Sequence, residues 1–153
     1  MKLLKYIAVF LVLNFGALAI GSWLMDNGPQ TDWYLNLNQA PWTPPGWVFG
    51  VAWTTIMFCF SIYMANLYKK LPKSNVLVLF AIQFMLNIVW NYIFFNQHLV
   101  GLGFTVILLL TFVVAVFAIK YIQKMGLLTL LILPYLIWLC IASSLNGYIL
   151  LNN

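Results

Sequence analysis

Val76-Leu-Val-Leu-Phe-Ala-Ile-Gln83-Phe-Met-Leu-Asn87-Ile-Val-Trp90-Asn91-Tyr-Ile-Phe94-Phe95 runs for twenty residues without a charged side chain. That is the length of helix needed to cross about 30 Å of hydrocarbon. Four further stretches match it: about 6–25, 46–67, 99–119 and 127–151. None shows the alternating pattern of an outer-membrane barrel, so the spans are read as helices, whose backbone groups pair within the segment. Composition agrees. The chain is 65% hydrophobic and 6% charged over 153 residues, whereas a soluble domain carries about 25% charged residues. A soluble enzyme and a disordered chain are both excluded. Five helices and short links account for one membrane domain over residues 1–153.

The charge pattern orients this all-α, five-helix bundle. Lys2 and Lys5 precede the first span, Lys69, Lys70 and Lys73 join the second to the third, and Lys120 and Lys124 join the fourth to the fifth. The other connections hold no lysine, and the first holds both acids, Asp26 and Asp32. The positive-inside rule then predicts a bacterial cytoplasmic membrane with the N-terminus inside and the C-terminus outside. The lysines are too few and scattered for nucleic-acid binding. Lys2, Lys5 and an apolar run reaching Ala17-Leu18-Ala19 also fit a secretory leader, but the run continues uncharged through Leu24, which favours a retained span.

Polar side chains inside hydrocarbon normally face the bundle interior or a cavity. Gln83, Asn87 and Asn91 fall at i, i+4 and i+8 on one face, bordered by Trp90 and Phe94. Isolated amides would serve as helix–helix contacts; three on one stripe with aromatics interleaved read as a cavity wall. Tyr135, Trp138, Ala142 and Asn146 form a comparable stripe on the fifth span. Gly46, Gly50, Trp53, Met57, Ser61 and Met64 do so on the second, and Asn14, Ala17 and Gly21 on the first. The fourth span, poorest in polar groups, is expected to face mostly lipid. Gly101, Gly103 and Ala81 could allow close helix approach, including between copies. Residues 26–45 form the only long loop; Trp33, Tyr34, Leu35, Leu37 and Trp42, with Pro41, Pro44 and Pro45 at its exit, suit an ordered lid on the outer face.

Acid–base and nucleophilic chemistry lack candidates. His98 is alone in a short loop, expected to be solvated, and Cys59 and Cys140 read as buried small hydrophobes, so no metal site is expected. Aromatic walls and a few amides suit a flat, mostly apolar ligand without an axial metal ligand, such as a metal-free macrocycle or a sterol-like molecule.

Trp33-Tyr34, Leu37, Pro41-Trp42-Thr43-Pro44-Pro45-Gly46-Trp47-Val48-Phe49-Gly50 and Trp53 closely resemble the first-loop signature of the TspO/MBR family. These are the tryptophan-rich sensory proteins, relatives of the mitochondrial translocator protein (peripheral benzodiazepine receptor). Gln83, Leu86-Asn87, Trp90-Asn91 and Phe94-Phe95 resemble its third helix, and Pro134-Tyr135, Trp138, Ala142 and Leu145-Asn146 its fifth. The resemblance implies a five-helix bundle, often a homodimer, that binds protoporphyrin IX or a related tetrapyrrole under the first loop as a sensory or regulatory protein, with no required cofactor. It places Tyr34, Pro41, Trp42, Trp53, Asn87, Trp90, Asn91, Phe94, Trp138 and Ala142 at the ligand, alongside Tyr135 from the stripe above. Light- and oxygen-dependent porphyrin degradation, with Trp53 and Trp138 as the photochemical pair, is the enzymatic alternative, and transport of an amphipathic ligand is another. The sequence lacks a basic residue after Tyr148, where the animal proteins end a cholesterol-recognition pattern, so sterol binding is not expected.

Overall fold

The computed structural model describes residues 2–72 and 74–153; Lys73, one of the seven lysines, lies outside them. Among the described residues there is no strand, and five helices are long and apolar enough to cross a membrane. They are α1 (Lys2–Leu24), α3 (Gly46–Lys70), α4 (Ser74–Asn91), α5 (Val100–Lys120) and α7 (Leu133–Asn152). Two short helices, α2 (Asp32–Leu35) and α6 (Ile122–Met125), lie in the connections. Around the bundle the order is α1, α3, α7, α5, α4, so that α1 is flanked by α3 and α4 and never meets α7 face to face.

Bulky apolar side chains at helical spacing form the core. Phe60, Tyr63, Phe80, Phe117 and Tyr135 are buried together as edge-on and stacked rings. Several polar groups drawn into that core have a partner that replaces water, although Gln83 Oε1 and Thr129 Oγ1 have none among the described residues. Asn14 Nδ2 donates to Ser61 Oγ at 2.8 Å, and that hydroxyl donates to the Met57 carbonyl at 2.6 Å, tying α1 to α3. The Tyr63 hydroxyl donates to the Phe117 carbonyl at 2.9 Å, tying α3 to α5.

Three expectations are corrected here. The fourth span, α5, is as buried as α3 and α7; it packs through an all-apolar face including Val106, Ile107, Leu110, Val114 and Phe117, so lack of polar groups did not mean lipid exposure. The most lipid-exposed span is α1, with 17% of its apolar window buried. Gly103 is consumed within the chain, since a Cβ there would lie 3.0 Å from the Phe94 Cβ, and it is buried rather than offered to a second copy. The cysteines are not buried: Cys59 is half-buried and Cys140 exposed.

One end of the bundle gathers positive charge. Lys70 Nζ donates to the Lys124 carbonyl at 2.9 Å, joining the α3 terminus to α6. The chain then turns at Gly126, with φ 55° and ψ −129°, a conformation accessible to glycine alone, and enters a tight 3-10 stretch, Gly126–Ile132, before α7. At the other end Trp23 and Trp47 are 79% and 71% exposed, as expected of rings at a membrane–water boundary.

Three outcomes follow for stability in detergent. Gly126→Ala is expected to cost about 1–3 kcal/mol from backbone strain alone, because nothing lies within 4 Å of the added methyl. Gly16→Ala, in a helical position with the same free space, should leave the thermal midpoint unchanged or raise it. A double-mutant cycle between Asn14→Ala and Ser61→Ala should give a coupling of about 0.6–2 kcal/mol; zero coupling would show that the α1–α3 hydrogen bond contributes nothing.

Candidate functional site

Gly28 sits flat against Phe95, so close that a Cβ would overlap the ring, and this contact seats the start of the 26–45 loop on the turn that follows α4. Asp26 and Asn27 bring the chain round with φ of 47° and 59°, a conformation that short polar side chains tolerate. Thr31 then caps α2: its hydroxyl donates to the Gly28 carbonyl at 2.7 Å and accepts from the Tyr34 amide at 3.4 Å. Gln39 Nε2 donates to the Tyr34 carbonyl at 3.0 Å, closing the next turn. Farther along, Trp42 Nε1 donates to Ser144 Oγ at 3.1 Å and its ring stands edge-on to Tyr148 at 5.4 Å. Asn38 and Asn153 exchange hydrogen bonds of 2.8 and 3.3 Å. The expected loop is thus an ordered lid, held by α4 at one edge and by the end of α7 at the other.

Beneath it lies a cavity of about 630 Å³. Its walls come from α1 (Ala17, Leu18, Ser22), α3 (Gly46, Phe49, Gly50, Trp53, Thr54) and α4 (Asn87, Trp90, Asn91). Phe95 closes it beside Tyr34, and Met25, Pro29, Gln30, Leu35, Gln39, Thr43 and Pro44 form the roof. Asn91 Nδ2 is bound to the Asn87 carbonyl at 2.9 Å, whereas the Asn87 carboxamide has no protein partner among the described residues and is free for a ligand. Burial pushes the Tyr34 phenol above its ordinary pKa by desolvation, so it stays a protonated donor across the neutral range.

Of the residues expected at the ligand, Tyr34, Trp53, Asn87, Trp90 and Asn91 line this cavity. Pro41, Trp42, Phe94, Tyr135, Trp138 and Ala142 do not. Pro41 and Trp42 lie on the exposed side of the lid. The α7 residues stand one layer behind the wall. Trp138 meets Phe49 edge-on at 5.2 Å, and Tyr135 meets Trp53 at 6.0 Å. Asn146 accepts from Trp90 Nε1 at 3.3 Å while donating to the Ala142 carbonyl at 3.0 Å. Phe49, Trp53 and Trp90 therefore each have a buttress on α7. Gln83, one turn below Asn87, also sits behind the wall, where its Nε2 donates to the Tyr135 hydroxyl at 2.7 Å.

Phe94 misses the cavity for a local reason. Tyr92–Asn96 is a wide π turn, closed by the Gln97 amide on the Tyr92 carbonyl at 3.0 Å. It takes up one extra residue, so Phe95 occupies the position that regular helical spacing assigns to Phe94. Phe94 instead stacks on Trp90 at 5.6 Å from behind. Sequence reasoning also missed Phe49, although it precedes Trp53 by one helical turn, and the lid residues Gln30 and Gln39, which no periodicity marks. His98 is exposed as expected yet lies flat on Trp33, with centroids 4.0 Å apart. Among the described residues no cluster of His, Cys, Asp or Glu could hold a metal ion.

Comparison with known proteins places this architecture. The TspO/MBR family profile matches residues 8–151. The tryptophan-rich sensory protein of Cereibacter sphaeroides is 31% identical over 115 residues, covering 75% of this chain and 73% of the relative. The tryptophan-rich protein TspO of Archaeoglobus fulgidus is 35% identical over 155 residues, covering 100% and 97%. The human translocator protein is 31% identical over 125 residues, covering 78% and 74%. The matched residues run through all five spans and the lid that roofs the cavity, and the chain belongs to the TspO/MBR family of integral membrane proteins.

Proposed function

We propose that this protein binds a flat, largely apolar ligand of the tetrapyrrole class in the lidded cavity and acts as a membrane sensor of it. One observation carries the reading: a roofed, partly open space of about 630 Å³ lined by Trp53, Trp90, Phe49 and Phe95, in which Asn87 holds an unpaired amide. Aromatic walls of this kind bury a planar ligand's area, and a single oriented polar group selects its edge. The relatives' names, tryptophan-rich sensory protein and translocator protein, accord with a binding or regulatory role. In the proposed orientation the lysine-rich end faces the cytoplasm and the lid faces outward. A homodimer would bring its copies together at exposed positions such as Ala81 or Gly101, because Gly103 is already occupied.

Photo-oxidative degradation of the ligand is the second reading, supported by Trp53 in the wall. Trp138 would act only through Phe49, which stands between it and the cavity. Its mark would be light- and oxygen-dependent product, lost in Trp53→Phe and retained at least in part in Trp138→Phe.

Titration of the detergent-solubilised protein with protoporphyrin IX in the dark should quench tryptophan fluorescence saturably at micromolar ligand. Trp53→Phe and Trp90→Phe should each weaken binding by about three- to thirtyfold, corresponding to about 0.7–2 kcal/mol of lost aromatic contact. Trp138→Phe should change it less. Absence of saturable quenching in the parent protein overturns the tetrapyrrole reading. Trp42→Phe, which removes the hydrogen bond to Ser144 and keeps the ring, should raise the ligand's dissociation rate several-fold while leaving the thermal midpoint within a few degrees; an unchanged rate would show that the lid is not held there.

A further inference from the structure

His98 is the chain's single histidine, and it adopts an uncommon backbone conformation. Its φ of 55° lies in the left-handed region, where the chain reverses out of the π turn. The Leu99 amide donates to the Ile93 carbonyl at 3.1 Å and the Val100 amide to the His98 carbonyl at 3.1 Å, and α5 begins there. That reversal carries the imidazole onto the lid, where it lies on the Trp33 indole with centroids 4.0 Å apart and planes 13° apart. Among the described residues the imidazole joins no ion pair and no hydrogen bond, so the ring contact is what orders it. Trp33 belongs to α2 and is half-buried. Its ring also meets Phe94 edge-on at 5.8 Å, and Phe94 stacks on the cavity residue Trp90 at 5.6 Å. Tyr34, the next residue, lines the cavity itself. The stack therefore holds the lid at a third point, beside the Gly28–Phe95 seat and the contacts to α7. Of the three it is the one with a side chain of the type that changes charge near neutrality.

An imidazolium over an indole face gains a cation–π attraction that a neutral imidazole lacks. The groups around the pair leave that gain intact. The titratable side chains on α2 and the π turn are Asp32, Tyr34 and Tyr92, and the start of α5 has none. The Tyr34 ring turns to Phe94 and Phe95, at 6.4 and 5.3 Å, and a tyrosine phenol is uncharged in this range. Asp32 and the lid's other acid, Asp26, are exposed and negative, which favours the cationic form, and the described lysines are at the far end of the bundle. We infer that the Trp33–His98 stack is a pH-sensitive latch, holding the roof over the cavity more tightly when the imidazole is protonated than when it is neutral. Protonation is favoured where the stack is made and not where the lid has lifted. By linkage the extra hold is full at low pH and is lost as pH rises through the histidine range. Access to the cavity is thereby graded by the pH at the lid face.

The test is amide hydrogen exchange on the ligand-free protein in detergent, each rate divided by that of an unstructured peptide at the same pH. The Leu35 and Asn36 amides, bonded to the Thr31 and Asp32 carbonyls at 3.0 Å, report lifting of α2. Their protection is expected to be about two- to fivefold greater at about pH 5.5 than at about pH 8. His98→Asn, which tolerates the positive φ and carries no charge at either pH, should hold protection at the lower level throughout. His98→Arg, charged at both, should make it independent of pH. A flat profile in the parent protein, or the parent's slope surviving in either variant, overturns the latch. No ligand enters the measurement, so its failure leaves the tetrapyrrole reading untouched, and absence of porphyrin binding leaves the latch untouched.

Discussion

A hydrocarbon slab admits little uncompensated polarity, and that limit shapes most of this structure. Backbone groups are satisfied by running as helices from one boundary to the other. Charges are expelled to the ends, and much of the polarity that remains inside is carboxamide, hydroxyl and indole N–H paired across helices, as Asn14 to Ser61, Gln83 to Tyr135 and Trp90 to Asn146. The cavity inherits the same restriction. It is built from the chemical groups a membrane interior tolerates, chiefly aromatic rings and a few amides and hydroxyls.

The cavity is a two-layered object. The inner layer is made by α1, α3, α4 and the lid, and the outer layer by α7, whose Tyr135, Trp138 and Asn146 each touch a different inner aromatic. Such a support shell holds the inner rings in fixed orientations, which is what a site that works through shape requires. A substitution on α7 is thereby felt at the cavity wall without lining the cavity.

Span number, span positions and the existence of an ordered lid were legible from the sequence, because each rests on a signal longer than one helical turn: an uncharged run of membrane length, lysines confined to alternate connections, a loop dense in aromatics and prolines. The cavity-facing amides of α4 were legible for the same reason, since Asn87 and Asn91 fall on one stripe. Depth was not. Periodicity separates the inside of a helix from its outside and does not say whether another side chain intervenes, so the α7 stripe reads as wall when Phe49, Trp53 and Trp90 stand in front of it. Nor does it register a π turn, which exchanged Phe94 for Phe95. The apolar face of α5 shows the converse error, where sparse polarity looked like lipid contact and proved to be close packing.

The reciprocal bonds between Asn38 and Asn153, and the Trp42 bond to Ser144, join parts of the chain 115 and 102 residues apart. A polypeptide threaded into a bilayer from its N-terminus makes the lid early and its latch last. Until α7 has been inserted, the roof lacks its second anchor and the inner aromatics lack their buttresses. The nascent bundle therefore passes through a stage with an open, unsupported groove between α1, α3 and α4, and the cavity is completed only once α7 is in place.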